Sequence, residues 1–486
     1  MTERSSNYRQ IIKATSIFGG VQVFNIFVSL IRSKVIAFFL GPVGFGISGI
    51  LTTTADFISA LINAGISSSA VRYISLSSKD GDDAKIVESV SLIKQLVRVT
   101  GLLGLTLTII ISPLLSQMSF GSTEFAYSYV WLALSVFFQQ ITSGKLVVLQ
   151  GLLKLKYLAL ANMLGATFGL LLGVPLYYFF GVKAIGPVIF ISALTTFVCA
   201  KFYFKKLNLK QVDIPRGVLI SRGKELINIG FFLSVSSLIA IGTSYVLRIY
   251  IGKIGGLSEV GLFTAGFAII NTYVGVVFQA MSTDYYPRLS AESNNIERSN
   301  IIVNRQSEVS LLIIGPILCF FIVFIKWIVI FIYSEKFIEI CNMLYWAALG
   351  IYFKAPAWAM AFVFLTNGRT KFFFFNELIS NLYMFFLNIF GYWYLGLEGL
   401  GISFLISYFI YFLQVHFVVR RVFGIVLNKE FVLISLVQFS LGISVFCLAQ
   451  FSSEYFLHIM GLAIVFINSG FSIFILRNRL KLGSGE

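Results

Sequence analysis

From about residue 11 to residue 476 the sequence is a succession of apolar runs, each of about 20 residues, with short polar stretches between them. At 1.5 Å of rise per residue, a helical run of that length crosses a hydrocarbon layer about 30 Å thick. Backbone N–H and C=O groups in lipid must be satisfied within the element, and runs this long and continuous do so as helices. With 57% hydrophobic and 12% charged residues, a soluble globule is excluded. Spans are expected at 11–32, 43–69, 91–113, 125–149, 157–180, 184–204, 225–251, 260–283, 308–332, 340–366, 372–394, 399–419, 430–450 and 455–476. The expected fold class is therefore an all-α polytopic membrane protein with fourteen transmembrane helices. The first run continues the protein rather than ending at a small-residue cleavage site, so no cleaved leader is expected. The terminal Gly-Ser-Gly-Glu reads as an appended linker (483–486).

A net charge of +16 invites a nucleic-acid reading, but its distribution argues against one. If alternate loops share a side, all of the 37 basic residues except Arg32, Lys34, Lys183, Arg248, Lys253, Lys326, Lys336 and Lys354 fall on that one side. That asymmetry follows the positive-inside rule and places both termini on the cytoplasmic side. The charge is topology, and no nucleic-acid partner is expected. Cys199, Cys319, Cys341 and Cys447 lie singly in apolar runs, so neither a metal site nor a disulfide is expected.

Comparing the chain with itself gives a repeat at an offset near 216. Arg32 falls on Arg248, Arg72 on Arg288, Lys156 on Lys371, and Val43-Gly44 on Val260-Gly261. In the clearest block Gly181 falls on Gly396, Gly186 on Gly401 and Ser192 on Ser407. A unit of six spans, an even number, returns in the same orientation, so the halves are related about the membrane normal. The expected organisation is an N-lobe (1–204), a cytoplasmic linker (205–224), a C-lobe (225–421) and two additional helices (422–482). The two six-helix lobes are then pseudosymmetric.

Polar residues recur every three or four positions on several spans, which puts them on one helix face. The first span carries Thr15, Gly19, Gln22, Asn25, Ser29 and Arg32, and the second Ser48, Thr52, Asp56, Ser59, Asn63 and Ser67. The seventh carries Ser234, Ser237, Ser244 and Arg248, and the eighth Thr264, Asn271, Gly275 and Gln279. Such stripes turn toward one another or toward water, so a polar cavity is expected, lined by Gln22, Asn25, Asp56, Asn63, Asn271 and Gln279. Arg32 and Arg248, toward the outer ends of their helices, either snorkel to the headgroups or, as continuations of two of the stripes, face the cavity, where a guanidinium fork suits a phosphate. Lys354 lies at mid-span beside Pro356, where a charge costs about 2.5–3.5 kcal/mol on insertion scales and marks function. Arg72 and Arg288 follow as candidates by their matching positions. Asp56 and Glu377 are intramembrane carboxylates that either pair with a base or couple transport to H⁺ or Na⁺. The sequence has no P-loop, nucleophile elbow, HExxH or His/Cys cluster, so neither an enzyme nor a cofactor is expected, and an ion gradient or the membrane potential would drive transport.

A long first helix ending in Arg/Lys, followed by Leu-Gly-Pro-Val-Gly-Phe-Gly46, resembles the Wzx-type polysaccharide flippases of the multidrug/oligosaccharidyl-lipid/polysaccharide exporter superfamily. Tyr-Pro-Arg-Leu-Ser290 and Gly-Leu-Glu-Gly-Leu-Gly401 fit the same resemblance. The resemblance implies two six-helix lobes working by alternating access in a bacterial inner membrane. It implies a substrate, an undecaprenyl-pyrophosphate-linked oligosaccharide such as an O-antigen repeat unit, passed from the cytoplasmic to the periplasmic leaflet. Membrane lipid, a polysaccharide polymerase and a chain-length regulator are the partners that go with such a role. By location Arg32, Arg248 and Lys354 match the basic residues that receive the pyrophosphate in relatives, with Arg72 and Arg288 second. The alternatives are a multidrug cation antiporter of the same superfamily, which favours carboxylates in its cavity, and a polymerase or ligase, which carries a large periplasmic loop that is not seen here.

Overall fold

The computed structural model describes residues 2–79, 83–209 and 212–484. The side chains of residues 1–19, 79–83, 210–211 and 480–486, and of a few single positions within helices, lie outside that description. These include Arg4, Arg9, Lys13, Thr15, Gly19 and the terminal linker. Among the described residues the chain is helical without strands. The helices are α1 (Thr2–Asn63), α2 (Ile66–Lys79), α3 (Asp83–Phe120), α4 (Ala126–Gly151), α5 (Leu155–Phe180) and α6 (Ile185–Lys205). They continue with α7 (Arg216–Ala268), α8 (Gly275–Ala291), α9 (Ile296–Ile332) and α10 (Ile340–Thr366). The last are α11 (Thr370–Phe423), α12 (Lys429–Phe451) and α13 (Glu454–Ser484).

Among the described residues ten continuous stretches are long and apolar enough to cross a membrane, and four of them, Gly20–Asn63, Leu155–Lys205, Gly230–Ala291 and Lys371–Phe423, run 44 to 62 residues. Each of the four carries a glycine at positive φ between its halves: Gly41 (63°), Gly181 (54°), Gly256 (84°) and Gly396 (57°). An L-residue with a side chain is strained there, so glycine sets the point at which the helix changes direction. Each long stretch has the length of two crossings.

The repeat is written into the backbone. Gly41 and Gly256 are 215 residues apart, as are Gly181 and Gly396, and as are Leu153 (φ 55°) and Gly368 (φ 66°). Asn208 (φ 48°) and Gly424 (φ 71°) are 216 apart. These left-handed positions fix the register better than side-chain identities do. They also separate the two arginines. Arg32 stands nine residues before its glycine break and Arg248 eight before, so the pair is out of step by one residue, about 100° around a helix.

The chain forms two compact units, Met1–Gly261 and Leu262–Glu486. This packing boundary falls later than the linker expected at 205–224. The first unit retains residues 216–261 of α7 through backbone approaches that only glycine permits. A Cβ on Gly261 would lie 1.8 Å from the Pro42 carbonyl oxygen, and one on Gly230 would lie 2.7 Å from that of Gly65. In the second unit α10 packs along α11, and α12 and α13 pack on α9. Buried amides hold that last layer: Gln438 Nε2 donates to Ser472 Oγ (2.9 Å), and Asn468 Nδ2 to the Cys319 sulfur (3.2 Å).

Two expected elements are corrected. The second span does not run unbroken over 43–69: Ala64 (φ 43°) and Gly65 (φ 83°) end α1, and α2 starts anew at Ile66. The Asn63 side-chain oxygen accepts from the Ser67 N–H (3.0 Å), capping a donor that the new helix leaves unpaired. The eighth span stays continuous but is not regular α-helix throughout: a π-turn at Ile269–Tyr273 re-aims the residues after Asn271.

Candidate functional site: polar cavities of the first unit and a caged lysine of the second

The break at residues 63–66 opens a cavity of about 410 Å³ in the first unit. Its walls come from the end of α1, the start of α2, the middle of α4 and Ser234 and Ser237 of α7, and every polar group among its lining residues is a hydroxyl, an amide or backbone. Those groups are held by one another. Asn63 Nδ2 donates to Ser67 Oγ (2.7 Å) and Gln140 Oε1 (3.4 Å), and Gln140 Nε2 donates to Thr100 Oγ1 (2.9 Å). Ser67 and Ser143 share a 2.6 Å hydrogen bond, and Ser59 Oγ donates to Gln139 Oε1 (3.2 Å). Each hydroxyl and amide keeps donor or acceptor capacity beyond these bonds, so the wall offers both kinds of partner to a ligand.

Gln139 and Ser143 also line a second cavity, of about 470 Å³, so the two share a wall. Here α1, α4 and α6 contribute Ser48, Thr52, Thr142, Ser192 and Thr196, α5 contributes Ala166 and Tyr177, and Arg32 is the charged residue of the lining. Arg32 interacts electrostatically with Tyr177, a buried phenol of the same wall. The first unit thus offers a neutral, hydroxyl-rich chamber beside one with a single guanidinium. The first suits a polyhydroxylated ligand and the second an oxyanion.

The second unit has a different centre. Lys354 Nζ donates to Asn271 Oδ1 (3.1 Å) and lies 4.9 Å from the Tyr408 ring centre and 5.6 Å from that of Phe404. An amide oxygen and two π-faces hold the ammonium at mid-span without cancelling its charge. Close by, Tyr408 and Tyr411 meet edge to face, and the Tyr411 hydroxyl donates to Glu377 Oε1 (2.8 Å).

The remaining sequence candidates fall as follows. Asp56 is exposed and interacts electrostatically with Arg248, whose guanidinium also bonds the Ser244 carbonyl oxygen (3.1 Å) and hydroxyl. Arg248 therefore sits with a carboxylate of the first unit, not in the chamber of Arg32. Arg288 is paired with Asp284 (3.3 Å) and with Gln306 Oε1 (3.4 Å), and Arg72 is exposed on α2. Gln22 and Asn25 do not line the two chambers, although the Asn25 Oδ1 is buried without a partner. Gln279 is exposed on α8. Sequence reasoning missed the α4 face of Gln139, Gln140 and Ser143, along with Tyr177, Ser192 and Thr196. Ser135, Gln139 and Ser143 recur at intervals of four within an apolar run, the same signal that singled out the second span.

The sequence model of the family described as polysaccharide biosynthesis protein matches residues 35–342. No curated protein sequence matches the chain. Among solved structures, the lipid II flippase MurJ in an inward closed conformation superposes with a TM-score of 0.75 at 14% identity, covering 96% of this chain and 99% of that one. An inward-facing multidrug resistance MATE family transporter of the MOP superfamily gives 0.60 at 17% identity, covering 90% and 96%. A MOP superfamily transporter from Pyrococcus furiosus, described as having reversed polarity in its binding pocket, gives 0.58 at 15% identity, with the same coverages. At these identities the likenesses establish the fold.

Proposed function

Because the chain belongs to the polysaccharide biosynthesis protein family, we propose that this multi-pass membrane protein is a Wzx-type flippase. Its substrate on this reading is an oligosaccharide linked to undecaprenyl pyrophosphate, of the O-antigen repeat-unit kind, moved from the cytoplasmic to the periplasmic leaflet. The observation that carries the reading is the pair of adjoining chambers in the first unit, one neutral and rich in hydroxyl and amide groups, the other holding Arg32. A glycan diphosphate asks for both: hydrogen-bond partners of either sign for the sugars, and a fixed cation for the phosphate. Its polyprenyl chain asks for neither and stays in lipid. An organic cation would be repelled by Arg32, which sets the multidrug antiporter reading second.

On the same reading, Lys354 is a second phosphate contact, its charge kept available by the Asn271 and aromatic cage. Glu377, hydrogen-bonded to a neutral phenol, and Asp56 are the carboxylates through which an ion gradient would act. Flipping of a fluorescent lipid-linked oligosaccharide in proteoliposomes tests the function. Wild-type protein exposes the label on the opposite leaflet, and Arg32→Ala and Lys354→Ala, inserted normally, lose most of that activity. Well-folded wild-type protein that leaves the lipid in place and extrudes organic cations instead would overturn the reading.

A further inference from the structure

At one end of the first unit α3, α4 and α6 enclose a third cavity, of about 740 Å³, whose lining is of another kind. Lys94 and Arg98 of α3, Lys145 of α4, and Lys201 and Lys205 of α6 converge on it, and its lining includes no carboxylate. Lys94, Arg98 and Lys201 all act on Lys145 as like charges. The Phe197 ring lies under two of the ammonium groups, 4.6 Å from Lys145 Nζ and 5.9 Å from Lys201 Nζ.

Five basic groups elsewhere in the chain are paired with a carboxylate: Arg222 with Glu225, Arg288 with Asp284, Arg298 with Glu292, Lys326 with Glu454, and Arg479 with Glu308. Among the described residues none of the five cations around this cavity has such a partner. Like charges four apart on one helix, as Lys94 and Arg98 are and as Lys201 and Lys205 are, disfavour the helix unless an anion lies between them. Topological charge alone does not explain the cluster either. At the 215-residue interval Lys94 falls on Val309, Arg98 on Ile313, Lys145 on the buried Met360 of α10 and Lys201 on His416, and only Lys205 meets a cation, Arg420, so the second copy of the repeat, inserted the same way round, lacks four of the pocket's five cations.

We propose that this pocket holds the phosphate-bearing headgroup of a lipid with at least two negative charges. Five cations on three helices exceed what one phosphate balances, and the flanking Phe197, Phe204 and Ile141 suit a ligand whose other end lies in hydrocarbon. Two sources supply that chemistry: a resident bis-phosphate phospholipid, and a polyprenyl diphosphate.

Native mass spectrometry of the full-length protein separates them. Protein is equilibrated with cardiolipin, with undecaprenyl diphosphate, and with zwitterionic phosphatidylethanolamine as reference. Wild type is compared with Lys94→Gln/Lys145→Gln/Lys201→Gln and with the exposed control Arg222→Gln. The expected result is that wild type and the control retain an anionic lipid in preference to the zwitterionic one, and that the triple variant loses that preference at least about tenfold. Which anionic lipid loses its preference identifies the source. The triple variant should be no less thermally stable without lipid, because it removes repulsion. If it is not recovered folded, Lys145→Met, the residue of the second copy, replaces it. No preference in wild type, or the same preference in wild type and variant, overturns the proposal. The readout is binding, so it is independent of whether the protein transports anything.

Discussion

The two copies of the repeat share a scaffold and differ at its centre. At the 215-residue interval marked by the glycine breaks, Gln139 corresponds to Lys354, Ile189 to Phe404, Ala193 to Tyr408 and Thr196 to Tyr411. In the first copy these four residues line an open chamber of about 470 Å³. In the second, Lys354 stands there instead, with the rings of Phe404 and Tyr408 against its ammonium. Residues that set direction, such as Gly181 and Gly396, are kept, and residues that set chemistry are not. The frame is common to both copies, and side-chain volume separates them: open space and hydroxyls beside Arg32 in one copy, an ammonium packed against aromatic rings in the other.

The largest effect should come from the feature that only the first copy has. Gly65→Val places a β-branched residue at φ 83° with its Cβ 2.4 Å from Ser234 Oγ. Strain of about 1–2 kcal/mol and overpacking of about 1–3 kcal/mol should remove most folded protein, as read by size-exclusion yield. Ala280→Val, 215 residues on and within α8, should leave yield nearly unchanged. Equal losses would break the comparison.

Next is the exchange of volume. Ala193→Tyr gives the first chamber the ring that fills the second and should cut flipping in proteoliposomes by about tenfold or more, the equivalent of about 1.4 kcal/mol. Insertion and melting temperature report whether the fold survives. Lys354→Gln, which copies the first-copy residue, should lower flipping by a similar or smaller factor, and Lys354→Arg should restore part of it. The smallest effect belongs to single hydroxyls of the neutral chamber. Ser67→Ala removes the bond to Ser143 and the one from Asn63, and should cost about 0.5–1.5 kcal/mol in thermal stability with flipping nearly intact.

Most of the architecture was legible because membrane insertion imposes it. Apolar length, charge asymmetry and the Gly181/Gly396 block pointed to helices and to a duplication, and the backbone carries the same interval. The break at Ala64–Gly65 was not legible, because Gly65 is tolerated there through its approach to Gly230 on a distant helix. Side-chain identity paired Arg32 with Arg248, but the register of the glycine breaks parts them by one residue, and one residue turns a side chain to another face. Arg32 and Asn63 were found from stripes that do face cavities. Gln139 and Ser143 carried the same signal, less visible in α4 because aromatic residues surround them. The convergence of Lys94, Arg98, Lys145, Lys201 and Lys205 is a tertiary fact. In sequence each of those residues is only a charge at the basic end of a span.

The central claim is that the first unit's chambers receive the glycan headgroup. The most direct test is alkylation of Ser143→Cys, on the wall between the two chambers, after Cys199, Cys319, Cys341 and Cys447 are replaced by Ala. The account predicts that lipid-linked oligosaccharide slows labelling several-fold, while the same lipid diphosphate without its glycan protects much less. Labelling at one rate with and without the oligosaccharide, under conditions in which the protein flips it, would contradict the account.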